Sequence, residues 1–156
     1  MSDIQNHSEP FILFELAGTT YGIPAAVAQQ MEMVEHITPV PNTEEFVEGV
    51  VFSRGQVIPA INLRVRFGFE KIAYSVRTRL IVINTGHRTV GLIADTAREF
   101  VSISSNMVQP PPEGLSGLSG RYLTGIAMLG ERMVLILNVE EILNFTNGIS
   151  TVLVEN

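Results

Sequence analysis

The chain has 156 residues, 46% hydrophobic and 17% charged, a balance that belongs to a folded globular protein and excludes intrinsic disorder. A formal net charge of -6 argues against nucleic acid or an anionic membrane as the main partner, because binding a phosphate backbone needs a basic face. There is no cysteine, which excludes disulfides, zinc–thiolate sites and thiol nucleophiles.

A chain of this length can bury about 68–70% of its unfolded surface, enough for one ordinary domain or two small subdomains that share a core. Its first ten residues, MSDIQNHSEP, lack a basic and an apolar segment, and no apolar run approaches the length of a membrane span. The expectation is a soluble, cytoplasmic protein with no direct membrane insertion.

From Phe11 the run FILFEL has β-propensity; Ala17-Gly18-Thr19-Thr20 and Tyr21-Gly22-Ile23 complete a hairpin. The stretch after Pro24 mixes periods 2 and 3.6, and the preferred reading is a turn over Pro24 to Ala26 and a strand from about Ala28 to Val34. Thr43 to Phe46 reads as a short turn or cap. Val47 to Leu63, VEGVVFSRGQVIPAINL, is a second hairpin, whose Asn62 caps a short helix over Leu63 to Phe67. Glu70 to Arg79 then connects to Leu80 to Leu92, a copy of the first hairpin with Gly91 in the place of Gly22.

Phe100 to Ile103 alternates as a strand and Pro110 to Pro112 closes it in an extended conformation. Glu113 to Arg121 is a glycine-rich connector; it lacks the lysine of a phosphate-binding loop. Leu123 to Val139, LTGIAMLGERMVLILNV, repeats the second hairpin without a gap, matching Gly49 with Gly125 and Asn62 with Asn138. VEEILNF is a final helix with Ile142 and Leu143 inward and Asn147-Gly148 as its stop, and the apolar tail Ile149 to Val154 packs on a barrel or adds an edge strand.

Two hairpins repeated in the same order make two similar halves. Each holds about five short strands, and closure into a small barrel removes the exposed edges. The expected fold is therefore mainly β: two tandem five-stranded SH3-like barrels around a hydrophobic seam, approximately residues 11–70 and 78–138, with short helices that include one over 139–146.

Catalysis finds little support. His7, His36 and His87 have no ligand at metal spacing, and the Glu44-Glu45 and Glu140-Glu141 pairs suit a solvated face and a helix first turn. No metal or cofactor is expected. The duplication supplies an internal control, because matched positions serve the fold and divergent ones are free for a task. Arg54-Gly55 stands where the second copy has Gly130-Glu131, which singles out Arg54 beside Phe52 and Ser53.

The ordered set Tyr21-Gly22-Ile23, Val40-Pro41-Asn42, Phe46 to Val50, Arg54-Gly55, Val57-Ile58-Pro59, Leu63, Val90 to Asp95, Pro110 to Pro112 and Tyr122 to Gly125 resembles the CheW-like coupling proteins of bacterial chemosensory arrays, from about Phe11 to Asn144. The resemblance implies a non-enzymatic adaptor joining the cytoplasmic tips of chemoreceptors to the regulatory domain of a CheA-type histidine kinase. It implies a binding role for Arg54 and Gly55, flanked by Phe52 and Ser53. It also implies a receptor groove that maps to Ala25, Ala28, Gln30, Gly49, Arg79 and Phe100. Phe52-Ser53, Gln30, Asn62 and Arg79 depart from the usual family residues, as in a paralogue serving surface sensing, pili or another output. The rival expectations are a nucleic-acid-binding barrel and a small-molecule sensor with its pocket in the seam.

Overall fold

The computed structural model describes residues 7–115 and 120–145. The expected stop at Asn147-Gly148, the tail 149–154 and part of the glycine-rich connector lie outside the described residues. In chain order the strands are β1 (Ser8–Leu16), β2 (Thr19–Pro24), β3 (Ala28–Met33), β4 (Val47–Ser53), β5 (Gln56–Asn62), β6 (Arg79–Asn84), β7 (Thr89–Ala94), β8 (Thr96–Ser104), β9 (Val108–Gln109), β10 (Leu123–Leu129) and β11 (Arg132–Leu137). Helix α1 (Leu63–Arg66) follows β5 and α2 (Val139–Ile142) follows β11, while single 3-10 turns at Ala25–Val27 and Ser105–Met107 lead into β3 and β9.

The repeat is visible in the local chemistry. Asn62 and Asn138 cap α1 and α2 alike, their side-chain oxygens accepting from the amides of Val65 and Glu141. Their own amides donate to the carbonyls of Phe46 and Tyr122, both at 2.7 Å.

Strand order is where the structure departs from the expected division. One sheet runs β8-β1-β2-β11-β10-β9 and the other β3-β6-β7-β5-β4, so each draws on both halves of the sequence. The blocks 11–70 and 78–138 are therefore not the two barrels. The first hairpin leaves its half and β2 pairs in parallel with β11, Gly22 opposite Ile136; in exchange β7 pairs in parallel with β5, Gly91 opposite Ala60. These two pairings join equivalent positions of the repeat. A hairpin meets an equivalent apolar strand in its own half and in the other, so the pattern of residues cannot say which it takes, as in a domain swap.

The exchange explains the apolar density of β1. Ile12, Phe14 and Leu16 face a core shared between the sheets, with Ile61, Leu63, Ile81, Ile83, Leu137 and Ile142. Phe11 and Leu13 face the interior of their own sheet, with Ile103, Val134 and Ile136. A strand buried on both faces must be almost continuously apolar, which is what FILFEL is. The five-stranded sheet encloses a third cluster of Val51, Ile58, Ala60, Leu80, Val82 and Ile93.

Two arginines tie the short segments to this frame. Arg66 in α1 donates to the carbonyls of Ile142 (2.8 Å) and Asn144 (3.1 Å), with its guanidinium 4.5 Å from the centre of the Phe46 ring. It thereby caps α2 and fastens the two helices across the seam. Arg64 makes a two-pronged ion pair with Asp95, 2.8 and 2.9 Å, and Asp95 also accepts from the Ala17 amide in the β1–β2 turn.

Burial pushes the Asp95 carboxyl up, but the Arg64 bonds, the Ala17 amide and the charge of Arg64 together outweigh that and hold it below its ordinary value. The ionised form is thus favoured by folding, so this stability is full above the unfolded value near pH 4 and fades as the pH falls through the lower folded value. Asp95→Asn is expected to lower stability by about 2 kcal/mol, a Tm drop of about 4–8 °C at neutral pH. The drop should shrink below about pH 4, and an equal drop at every pH in thermal melts would contradict this assignment.

Candidate functional site

The five-stranded sheet does not close by backbone pairing between its two edges, β3 and β4. Side chains and one isolated backbone bridge beyond β3 close it instead. Ser53 at the end of β4 accepts from the Gln30 amide (3.0 Å) and donates to the Glu32 carboxylate (2.6 Å), both on β3. Further along, Thr38 and Val50 exchange two backbone hydrogen bonds of 2.9 Å. Gly49 is required at this point, because its φ is +145° and a Cβ there would lie 2.1 Å from the Thr38 carbonyl oxygen.

Beyond Ser53 the chain turns back in two residues, Arg54 (φ 49°) and Gly55 (φ 83°), with Ser53 opposite Gln56. Two positive φ values define a type I′ turn, whose twist suits a two-residue hairpin. Gly55 is at ease there, while an arginine in the left-handed region costs about 1–2 kcal/mol. At the equivalent turn of β10–β11 the same place is held by Gly130 (φ 66°). The first copy therefore keeps a strained arginine where the second has the residue that relieves strain. Arg54→Asn, which suits this conformation, is expected to raise Tm by about 2–4 °C for about 1 kcal/mol of relief. A fall in Tm would mean that the Arg54 side chain supports the fold.

Arg54 and Arg77 are the only described Lys or Arg side chains with no hydrogen-bond or ion-pair partner among the described residues; Arg64, Arg66, Lys71, Arg79, Arg88, Arg121 and Arg132 are all engaged. Beside Arg54 lies a polar depression of about 160 Å³ walled by Gln29, Gln30, Gln56, Asn84 and Thr89. On the other flank Phe52 and Val57 stand directly opposite each other across the hairpin, 73% and 63% exposed. They border a groove of about 430 Å³ with Met33, Val34, Glu32, Glu35 and His36 along its far wall. A free cation, an exposed apolar pair and an acidic rim make a surface suited to protein contact, where aromatic and arginine anchors carry most binding energy.

The expected site residues fall into four places. Phe52, Ser53, Arg54, Gly55 and Gln30 come together on this face, although the Ser53 hydroxyl and the Gln30 amide are spent on closing the barrel, as is Gly49. Ala25 and Ala28 lie where the chain enters β3 and pack against the shared core. Arg79 stands at the opposite end of β3, beside Met33, with its guanidinium donating to the Val76 and Thr78 carbonyls. Phe100, 59% exposed, belongs to β8 at the edge of the other sheet.

Sequence reasoning passed over Val57, Met33 and Glu32. The signal for Val57 was present, since a two-residue turn at Arg54-Gly55 sets Phe52 opposite Val57 without further information. Among the described residues, no three His, Cys, Asp or Glu side chains gather to hold a metal ion. Nor is any described helix long and apolar enough to cross a membrane.

Comparison with known proteins places the geometry in a context. Residues 10–146 match the family described as the CheW-like domain. The chain is 35% identical over 136 residues to the chemotaxis protein CheW of Klebsiella aerogenes, covering 87% of this chain and 82% of that protein. It is 36% identical over 135 residues to CheW of Helicobacter pylori (85% and 80%) and 27% identical over 143 residues to protein FrzA of Myxococcus xanthus (92% and 86%). The crystal structure of the scaffolding protein TtCheW from Thermoanaerobacter tengcongensis superposes with a TM-score of 0.82 at 29% identity, covering 90% of this chain and 95% of that one.

Proposed function

This chain belongs to the CheW-like domain family, and from that premise we propose that it is a non-enzymatic adaptor coupling chemoreceptors to a CheA-type histidine kinase in a bacterial chemosensory pathway. The observation that carries the reading is the β3–β4 face: Arg54, held in a strained turn with no partner among the described residues, beside the exposed pair Phe52 and Val57. Strain of this kind persists where the surroundings enforce it and is concentrated at functional sites.

In finer detail, the receptor's cytoplasmic tip contacts Arg54 and Gly55 and continues along β3 and the seam past Gln30, Ala28 and Ala25, with Phe100 and Arg79 as outlying contacts. The kinase's regulatory domain takes a different surface. The protein catalyses no reaction and works at receptor arrays in the cytoplasm. The departures at Phe52, Ser53, Gln30, Asn62 and Arg79 from the usual family residues fit a paralogue that serves an output other than swimming.

The experiment is reconstitution. The full chain is mixed with the cytoplasmic fragment of a receptor and with the kinase regulatory domain encoded in its own genome, and complexes are read by co-sedimentation. The expected result is a complex with each and a ternary complex with both. Binding to neither would overturn the adaptor reading.

A further inference from the structure

The junction between the two sheets contains a cavity lined by none of the residues assigned to a partner above. It has a volume of about 100 Å³ and is walled by Tyr21, Phe67, Phe69, Tyr122, Leu135 and Leu137, with no charged side chain among its lining residues. Tyr21, Leu135 and Leu137 come from β2 and β11 of the six-stranded sheet, and Tyr122 leads into β10. Phe67 and Phe69 come from the segment after α1, which is attached to the five-stranded sheet.

An engineered apolar cavity of about 150 Å³ takes up benzene, so a hollow about two thirds that size that is open at one side fits a single ring with its edge in the mouth. The walls suit an aromatic guest. Tyr21 and Phe67 have ring centres 5.9 Å apart, and Phe67 and Tyr122 5.0 Å apart, in tilted pairs. Tilted rings offer both faces and edges, and a further ring adds to such a cluster favourably.

Three further features mark the hollow. The Tyr122 hydroxyl is buried with no hydrogen-bond partner among the described residues, an uncommon state for a buried tyrosine. The Tyr21 hydroxyl sits among apolar groups, and its burial pushes its titration above the ordinary value. Phe69 is 38% exposed at this site, a large apolar side chain left partly in water where a guest would cover it.

We propose that this hollow is a binding site for a small neutral aromatic molecule of one ring, of the phenol class, held between Tyr21, Phe67 and Tyr122. Because its walls come from both sheets, an occupant bridges them. The inference rests on none of the partner assignments above.

The test is titration of phenol into the full chain, followed by two-dimensional NMR of the leucine methyl and aromatic signals. Saturable shifts at Leu135, Leu137, Phe67 and Phe69 are expected with Kd near or below about 1 mM, as befits a ligand of so few atoms. Leu123, at the start of β10, also lines the hollow. Leu123→Phe and Leu135→Phe each place extra volume in it, and each is expected to weaken phenol binding by about tenfold or more. Absence of saturable shifts in the unsubstituted chain overturns the proposal. So does undiminished binding in whichever of the two variants folds, which would put phenol elsewhere, and so does cyclohexanol binding as tightly as phenol.

Discussion

Arg54→Glu is expected to weaken binding of the partner on the β3–β4 face by about tenfold or more while shifting Tm by no more than about 2 °C. The large effect on binding follows from what reversal does at a contact. It removes a cation and puts a like charge against whatever acid the partner presents, and at a desolvated pair truncation alone costs about 2–5 kcal/mol. The small effect on stability follows from the structure. Arg54 is exposed, has no intramolecular partner among the described residues, and both arginine and glutamate are ill-suited to its positive φ, so neither state gains a fold contact from the exchange. Isothermal titration against receptor fragment and kinase domain, with a melt of each variant, separates the two terms. Unchanged affinity for both partners would remove Arg54 from the site.

The contrast with Arg54→Asn sharpens this. Asparagine is expected to stabilise the turn, yet it carries no charge, so it too should bind more weakly. A more stable protein that binds less well cannot be explained by loss of fold, and that combination identifies a residue kept for its task against the preference of its own backbone.

Much of the architecture was legible because β-sheet chemistry is local. Ala17-Gly18 and Arg54-Gly55 are two-residue turns with positive φ, Asn62 and Asn138 are helix caps, and the double-sided burial of β1 is written in FILFEL. Which hairpin pairs with which was not legible. Gly22 opposite Ile136 and Gly91 opposite Ala60 are the same pair twice over, and a repeat that makes the two partners alike erases the information needed to choose between them.

The site was legible to the degree that the halves diverge. Arg54 stood out because Gly130 replaces it, and Phe52 because it lay beside Arg54. Gln30 and Ser53 were expected as contacts, but their polar groups serve first to bridge two sheet edges that have no backbone ladder, a need that appears only once β3 and β4 are known to be edges. Arg79 and Phe100 were placed by resemblance rather than by chemistry, and the fold sets them away from the Arg54 turn, at the start of β6 beside the far end of β3 and on the other sheet.

Gly49 was expected in the same groove, and its substitution should abolish binding for a different reason. Its buried position leaves no room for a side chain: a methyl would sit 2.1 Å from the Thr38 oxygen and 2.9 Å from the Pro39 Cα, and these are backbone atoms that cannot swing aside. Relief requires the Thr38 segment to lift away, which gives up both 2.9 Å bonds to Val50, and the positive φ adds strain of its own. Gly49→Ala is therefore expected to cost on the order of 4 kcal/mol or more, a Tm loss of about 8–16 °C. The matched Gly125 gives the internal comparison. There the closest atom is Val108 Cγ1 at 2.7 Å, a side chain that can rotate, and φ is not in the positive range, so Gly125→Ala should lose less than half as much. Gly55 differs again, with open space around it and only its φ of +83° to penalise an alanine by about 1 kcal/mol. Chemical denaturation of the three variants should rank them in that order. Gly49→Ala with near-native stability would mean that Thr38 and Val50 do not seal the barrel edge, and a binding defect in that variant would then have to be assigned to contact with the partner, as for Arg54.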